Sequence, residues 1–377
     1  MKRNMCPVPI PLVLMILFVQ VNVATAADKR VLTGVFEPEM IRAAAGELYV
    51  VEGSTVLVYS LRDLSLSRKI GRQGEGPGEF RVADFWYNTA TVLPERIFID
   101  GYDKVAYFAP DGKLLRELRK PVGIGKLVPA GNNYAGVKLD HVEGEIQFQC
   151  LYLLGPNLEF KTELCRQESP VQAMTRRIEM IPDVLNFAVW DNRIYVEKSR
   201  EGFVIEIFGS EGGRLGRIEN PTPQMPVTQK HKDEAVENVR NDPFVKRMGY
   251  EAFARFSQFA WPRALPAIRD FVVADERIYV RTPQTREGEE NWLILDLAGR
   301  PLGSAFLPRM EDAPLMAHLS GVNYFTIHQK ALYFIRDNER TEEWELHVEE
   351  IEGRPGLRAG GELKKIREPD DPRHRGG

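Results

Sequence analysis

Short apolar segments separated by polar turns recur along most of the chain. In each copy an apolar strand is followed by a tight turn and by a second strand rich in aliphatic and aromatic residues. These strand pairs span residues 40–45 and 48–51, 86–93 and 97–99, 125–129 and 134–137, 185–189 and 193–196, 268–274 and 277–280, and 322–327 and 331–334. A third strand follows each pair, at residues 55–60, 104–109, 146–154, 203–209, 292–297 and 344–350.

Six tandem units of three to four strands predict an all-β fold, a six-bladed β-propeller spanning residues 27–352. A closed ring needs its last blade tied to its first. The apolar segment at residues 30–36 precedes the first unit, and we expect it to supply the outer strand of the last blade. Beyond residue 352 the chain becomes rich in Gly, Pro and charge, so residues 353–377 are expected to be a disordered tail.

One stretch carries a more specific motif. It begins with a glycine-rich run and continues with the strand pair at residues 96–108; the run reads Gly71-Arg72-Gln73-Gly74-Glu75-Gly76-Pro77-Gly78-Glu79-Phe80. This stretch resembles one repeat of the NHL type, whose repeats form the blades of β-propellers. The resemblance implies that the glycines let the chain cross between blades and that Phe80 anchors it. A phosphate-binding loop is the weaker reading, because no Gly-Lys-Ser/Thr follows and the next element is a strand.

Aromatic residues recur at one position of the second strands. Packing between neighbouring blades explains this recurrence, so these residues are assigned to the core. They are Tyr49, Phe98, Tyr195, Tyr279 and Tyr333.

A helical pattern interrupts the repeat between the fourth and fifth units, at about residues 226–261. Thr228 can cap a first helix, and Asp242 followed by Pro243 can start a second. Apolar residues recur at helical spacing along the second helix, at Phe244, Val245, Met248, Ala252, Phe256 and Phe259. This apolar face is expected to pack on the propeller; a lid over the channel or a docking face is the functional alternative.

The first 26 residues have the organisation of a cleaved signal peptide. Lys2 and Arg3 precede an apolar run at residues 10–23, and the triplet Ala24-Thr25-Ala26 follows. Cleavage near Ala26 predicts a periplasmic or secreted protein without stable membrane insertion. An uncleaved anchor is disfavoured because the apolar run is short.

Composition agrees with a folded exported domain. Hydrophobic residues make up 43% of the chain, which supports a sizeable core, and 31 Gly and 25 Pro supply the turns. Loss of Lys2 and Arg3 with the signal changes the formal charge from −4 to −6. A mildly acidic chain without a basic stripe is not expected to bind nucleic acid.

Two cysteines, Cys150 and Cys165, remain after cleavage and flank a predicted loop between two strands. An oxidising compartment permits a cross-strand disulfide, and two buried thiols are the equal alternative.

Catalytic motifs are absent from the sequence. There is no G-x-S-x-G elbow, and none of the six histidines falls in an H-x-H or H-E-x-x-H arrangement. No catalytic residue, metal ligand or cofactor is therefore predicted.

The candidate site lies at the mouth of the channel, where polar residues occur on the predicted inner strands. They are Arg42, Asn88, Lys126, Asn186, Arg269, Asp270 and Asn323. One carboxylate among three cations suits an anionic or polar ligand better than a metal ion. The sequence therefore favours a non-catalytic binding or scaffold protein for a protein, peptide or saccharide ligand.

The alternative is a metal-dependent enzyme. In lactonase-type and peptide-amidating lyase-type propellers, which resemble the expected fold, single ligands from the innermost strands converge on the channel mouth. Under that reading calcium is the expected cofactor.

Overall fold

Strands that are consecutive in the chain pair with one another and form small antiparallel sheets. The computed structural model describes residues 28–83, 87–141, 146–310 and 323–351. The expected signal peptide and tail lie outside the described residues. Within them the strands form six four-stranded sheets and one three-stranded sheet.

The first half of the chain forms a short opening strand and three four-stranded sheets. The opening strand is β1 (Asp28–Val31). The first sheet contains β2 (Met40–Ala44), β3 (Glu47–Glu52), β4 (Thr55–Ser60) and β5 (Leu66–Ile70). The second contains β6 (Thr89–Leu93), β7 (Arg96–Asp100), β8 (Lys104–Phe108) and β9 (Leu114–Arg119). The third contains β10 (Ile124–Ala130), β11 (Asn133–His141), β12 (Gln147–Leu154) and β13 (Phe160–Glu168).

The second half repeats this organisation and adds short elements. After β14 (Val171–Gln172) and β15 (Arg177–Glu179), the fourth sheet contains β16 (Phe187–Trp190), β17 (Arg193–Glu197), β18 (Phe203–Gly209) and β19 (Arg214–Asn220). A 3-10 turn, Ser199–Glu201, joins β17 to β18. Three helices and a short strand follow: α1 (Gln229–Asn241), α2 (Pro243–Met248), α3 (Tyr250–Phe256) and β20 (Gln258–Ala260).

The last two sheets complete the chain. The fifth contains β21 (Asp270–Ala274), β22 (Arg277–Arg286), β23 (Glu289–Asp296) and β24 (Pro301–Pro308). The sixth contains β25 (Phe325–His328), β26 (Ala331–Asn338) and β27 (Glu343–Glu350), with β1 as its fourth strand.

The four-stranded sheets are arranged in a closed cycle, as in a β-propeller. The first strand of each sheet, β2, β6, β10, β16, β21 or β25, is called its inner strand. Contacts between successive sheets run from β2 to β6, from β7 to β10, and then through β10, β16, β21 and β25 back to β2. The inner strands therefore surround a central channel.

A hydrophobic cluster fills each junction between neighbouring sheets. Tyr49 and Ile97 lie between the first and second sheets, and Tyr279 and Phe334 between the fifth and sixth. The assignment of the recurring aromatics to the core is confirmed, since Tyr49, Phe98, Tyr195 and Tyr279 are at most 3% exposed and Tyr333 packs against another junction. Burial of each such side chain contributes about 1.5–3 kcal/mol.

The ring is closed by the N-terminal segment. β1 pairs antiparallel with β27, with Arg30 opposite Leu346. The expectation of a closing N-terminal strand is confirmed, but the strand lies at Asp28–Val31, earlier than residues 30–36. The chain after β1 leaves the sheet, and Leu32 and Val35 enter the cluster between the sixth and first sheets.

The glycine-rich run connects the first and second sheets. Phe80 is 1% exposed and packs among residues of both. A Cβ at Gly101 would lie 2.7 Å from the Phe80 ring, so close packing of the backbone on this ring requires glycine. The Glu79 carboxylate accepts a hydrogen bond from the Gly76 N–H at 2.8 Å. One backbone N–H group of the glycine-rich run is therefore already bonded to a side chain of the same run.

The helical segment differs from its expected form. Gly249 has a φ of 84° and separates α2 from α3, so no continuous second helix runs to Phe259. Phe259 instead lies in β20, which pairs parallel with β15. Val245 and Phe253 are buried against Ile178 in a separate cluster, whereas Phe256 is exposed. No helix within the described ranges is long and apolar enough to cross a membrane.

The cysteines are unpaired in the structure. Strand pairing places Cys150 opposite Arg166, and Leu151 opposite Cys165. The two side chains therefore project from opposite faces of the sheet, where a disulfide cannot form. Burial raises the pKa of the Cys150 thiol to about 11 and that of Cys165 to about 12.

Candidate functional site

The channel inside the ring contains a cavity of about 1640 Å³. It reaches the exposed residue Pro94 at one end, in the turn that joins an inner strand to the second strand of its sheet. At the other end α1 lies against it, with Lys230, His231 and Glu234 among the lining residues. An ion pair of 3.2 Å between Glu234 and Arg309 ties α1 to the chain that follows β24.

Strand pairing divides the channel wall into three layers. Residues two apart on a strand face the same side, so the inner strands can be aligned by distance from the turn. The turn layer is Ala44, Leu93, Ala130, Trp190, Ala274 and His328. The middle layer, two residues earlier, is Arg42, Thr91, Val128, Ala188, Val272 and Thr326. The polar layer, two residues earlier again, contains Lys126, Asn186, Asp270 and Tyr324.

The layers differ in chemistry. All of these residues except Ala130 line the cavity. The turn layer is mainly apolar, and the middle layer consists of small or aliphatic residues with one exception, Arg42. The polar layer is beneath α1, at the end of the channel away from the turns. The channel is therefore amphipathic along its axis.

A hydrogen-bonded chain connects the polar layer. The Lys126 ammonium donates to the Phe187 carbonyl at 2.8 Å and to Asn186 Oδ1 at 3.3 Å. Asn186 Nδ2 donates in turn to Asp270 Oδ1 at 2.6 Å, and the Phe271 N–H donates to the same oxygen at 2.7 Å. These bonds fix the orientation of the polar side chains before any ligand binds.

Burial changes the ionisation of two of the cations that line the channel, Arg42 and Lys126. It lowers the pKa of Arg42 to about 10, opposed by the nearby Asp270. It lowers the pKa of Lys126 to about 8, and repulsion from Arg42 acts in the same direction. Both side chains remain mainly cationic at neutral pH.

The site also contains two carboxyl groups that the sequence did not indicate. Glu197 is 3% exposed and lines the cavity, and burial, with Asp183 and Asp270 nearby, raises its pKa well above the usual value. Asp183 precedes β16, and burial raises its pKa to about 6. Among the described residues Glu197 Oε2 has no hydrogen-bond partner. A protonated Glu197 would offer an O–H donor to the channel.

Neither Glu197 nor Asp183 lies on an inner strand, where the sequence predicted the site residues. Glu197 ends the apolar run of a second strand, where the corresponding residue in the first sheet is Val51. Arg281 occupies the same place in the fifth sheet and pairs with the fully buried Glu290 at 2.6 Å. At this repeat position Asp100, Glu197 and Arg281 are charged, whereas the other three sheets have an aliphatic residue there. This departure from the aliphatic pattern was the available signal.

Six of the seven predicted site residues line one cavity: Arg42, Lys126, Asn186, Arg269, Asp270 and Asn323. Asn88 is not among the residues that line this cavity. Asn88 is 4% exposed between the first two sheets, where its amide donates to the Gly53 carbonyl at 2.6 Å. It precedes β6 and fixes that connection.

In the part of the chain that the structure describes, no three carboxylate, histidine or cysteine side chains are placed to hold a metal ion together.

Comparisons with known proteins add no family. No family model and no curated protein matches the chain. Among solved structures, BamB from Moraxella catarrhalis is 9% identical, with 82% of this chain and 71% of that chain covered and a TM-score of 0.30. Kluyveromyces lactis Hsv2 is 8% identical, with coverage of 84% and 100% and a TM-score of 0.35. A Bacteroides caccae protein of unknown function is 12% identical, with coverage of 82% and 92% and a TM-score of 0.37. Similarity at this level assigns neither a ligand nor an activity to this chain.

Proposed function

We propose that this chain is an exported, non-catalytic binding protein whose channel holds part of a peptide, protein or saccharide ligand. In this proposal the six four-stranded sheets are the blades of a propeller of the NHL-repeat kind. The three-stranded sheet and the helices are accessory elements that cover one end of the channel. The N-terminal 26 residues direct export and are then removed.

The observation that carries the proposal is the convergence of polar side chains from different sheets on one cavity. Arg42, Lys126, Asn186 and Asp270 come from the first, third, fourth and fifth sheets. Polar groups placed at one end of a mainly apolar cavity are the usual composition of a ligand site. The ordered bonds from Lys126 through Asn186 to Asp270 supply preorganisation, which lowers the entropy cost of binding.

The test fills the channel without changing its charge. Ala188 lies in the middle layer, and Ala188→Phe would place a ring in the channel; Thr91→Phe does the same from another sheet. Val122 is 91% exposed, so Val122→Phe is the matched control. The mature chain is screened on peptide and glycan arrays, and binding of the hits is measured by titration calorimetry.

The proposal predicts at least one hit whose affinity falls about tenfold or more in both channel variants and is unchanged in the control. Melting temperatures establish that the variants are folded. A screen without hits, or hits that bind the filled channel as tightly as the natural one, would contradict it. Stoichiometric calcium or zinc whose removal lowers the melting temperature would favour the metal-dependent enzyme instead.

A further inference from the structure

The channel contains two cations for which the described part of the chain provides no carboxylate within ion-pair distance. The Arg42 guanidinium donates to its neighbouring Ile41 carbonyl at 3.2 Å. Lys126 donates to one carbonyl and one amide oxygen, and its ammonium lies 4.7 Å from the centre of the Phe187 ring. Asp270 acts on both cations at longer range.

Arg42 and Lys126 are half-buried, whereas the fully buried cations Lys120 and Arg281 each have a close carboxylate. Lys120 lies 2.5 Å from Asp100, and Arg281 lies 2.6 Å from Glu290. A buried charge without a partner is costly, and the cost is removed when an opposite charge arrives with hydrogen-bonding atoms. The contrast indicates that the partner of Arg42 and Lys126 comes from outside the chain.

A carboxylate fits these groups. Its two oxygens can accept hydrogen bonds from a guanidinium and an ammonium at the same time. Glu197 lines the same cavity and has a buried oxygen without a partner among the described residues. In its protonated form it can donate to a ligand oxygen, which an ionised carboxylate could not do.

The rest of the channel lining indicates which chemical group extends from the carboxylate of the ligand. From the layer of Arg42 toward the turns the cavity is lined mainly by apolar side chains, with Thr91, Thr326 and His328 among them; the apolar ones include Val128, Ala188, Val272, Leu93 and Ala44. The cavity reaches the surface at that end. An aliphatic chain extending from the carboxylate toward the turns would bury its surface against the apolar side chains.

We propose that the channel binds an aliphatic carboxylate, with its charged end against Arg42 and Lys126 and its hydrocarbon part along the middle and turn layers. The inference rests on the proposed binding role of the channel and specifies a carboxylate as the group that the channel binds, which extends the ligand class beyond peptides, proteins and saccharides. A long-chain fatty acid anion and the carboxyl terminus of an apolar peptide share this chemistry.

Titration calorimetry on the mature chain tests the inference with defined probes. Decanoate is compared with decyl alcohol, and acetyl-Leu-Leu-Val carrying a free carboxylate is compared with its carboxamide. Arg42→Gln and Lys126→Gln remove the cations. Arg116→Gln and Lys161→Gln are the matched controls, because Arg116 is exposed and the Lys161 side chain is 39% exposed, both outside the cavity.

We expect at least one carboxylate probe to bind, and its uncharged counterpart to bind about tenfold more weakly or worse. Each channel variant should bind the carboxylate probe about tenfold more weakly than the natural chain does. The control variants should bind it as tightly as the natural chain. Because neither cation has a close carboxylate, both channel variants should melt at least as high as the natural chain. Binding by decanoate alone identifies a fatty acid site, and binding by the peptide alone identifies a peptide terminus.

Failure of either carboxylate to bind, or equal binding by the Gln variants, would overturn the inference. The proposed function is judged separately. If an uncharged ligand binds and its affinity is lower in Ala188→Phe, the channel is a ligand site and only the carboxylate assignment is contradicted. If Ala188→Phe changes the affinity of no ligand, the proposed function and the carboxylate assignment are both contradicted.

Discussion

Glu39 is an ionisable residue at the junction between the first two sheets. The backbone N–H groups of Gly53 in the first sheet and of Asn88 before the second sheet lower the pKa of its carboxyl group. Burial nevertheless raises its pKa from 4.5 to about 8. Its Oε2 has no hydrogen-bond partner within the described ranges. At neutral pH this side chain is therefore mainly protonated.

This shift predicts a specific dependence of stability on pH. A carboxyl group whose pKa is raised by folding contributes stability that is complete below its unfolded pKa and is lost as pH rises through the folded one. The loss falls between about pH 4.5 and pH 8. We expect the free energy of unfolding of Glu39→Gln to equal that of the natural chain near pH 4.5. Above about pH 8 it should exceed that of the natural chain by on the order of 3 kcal/mol.

Urea unfolding at the two pH values measures this difference. Glu95→Gln is the control, since Glu95 is exposed in the turn between β6 and β7. Parallel stability profiles for Glu39→Gln and the natural chain would show that Glu39 ionises in the folded protein as it does in the unfolded one.

Individual residues were predicted well where the repeat fixes their position. The aromatic position of the second strand marks the core because equivalent residues face equivalent junctions. Lys126, Asn186 and Asp270 could be placed in the channel for the same reason. Asn88 could not, because it is an odd number of residues from the channel-lining Thr91 and Leu93, so its side chain faces the junction between the first two sheets. The ionisation of Glu197 depends on neighbours from other sheets, which a local pattern does not contain.

At the scale of elements, closure of the ring depends on a short N-terminal segment. Four residues of β1 pair with β27, and the Trp344 indole donates to the Phe36 carbonyl at 2.8 Å. Leu32 follows β1 and is 2% exposed, whereas its neighbour Val31 is 41% exposed. The segment is therefore held by backbone pairing and by the buried side chains of Leu32 and Val35.

Leu32→Ala is expected to destabilise the protein by about 2–5 kcal/mol, because it leaves a cavity where the last sheet meets the first. Val31→Ala shortens an adjacent side chain without opening a buried space, so its effect should be below about 0.5 kcal/mol. Thermal and urea unfolding compare the two variants. Equal effects would mean that the segment does not hold the ring closed.

The sequence predicted the helical segment only in part. Apolar spacing predicted one helix from Phe244 to Phe259, and the spacing is real. Gly249 interrupts it with a backbone angle that favours glycine, and the chain then turns into β20. β20 pairs with β15, which is distant in sequence and only three residues long. A short pairing between distant segments leaves no recognisable pattern in the local sequence.

At the scale of the whole molecule, the repeat in the sequence anticipated a closed arrangement of sheets. Each sheet has an apolar surface toward both neighbours, so the clusters at the junctions follow from strand alternation. The combination of charges inside the channel does not follow from any one repeat. It results from Arg42 in the middle layer and Lys126 in the polar layer, which come from different sheets.

The charge of the channel also predicts how ligand affinity varies with pH. Lys126, whose pKa is about 8, is surrounded by Arg42, Asp270 and Glu197. Deprotonation of Lys126 removes one partner of a carboxylate, and ionisation of Glu197 adds repulsion. Decanoate affinity should therefore fall about tenfold or more as pH rises through 8. In Lys126→Gln the fall should be smaller, and titration calorimetry across this range measures both.

A crystal structure of the mature chain grown with decanoate tests the central claim most directly. The account predicts density for the ligand inside the ring, with its carboxylate about 3 Å from the Arg42 guanidinium and the Lys126 ammonium. Its hydrocarbon chain should lie between Val128, Ala188 and Val272. Density on an outer surface of the sheets, or an empty channel under conditions where calorimetry records binding, would contradict the account.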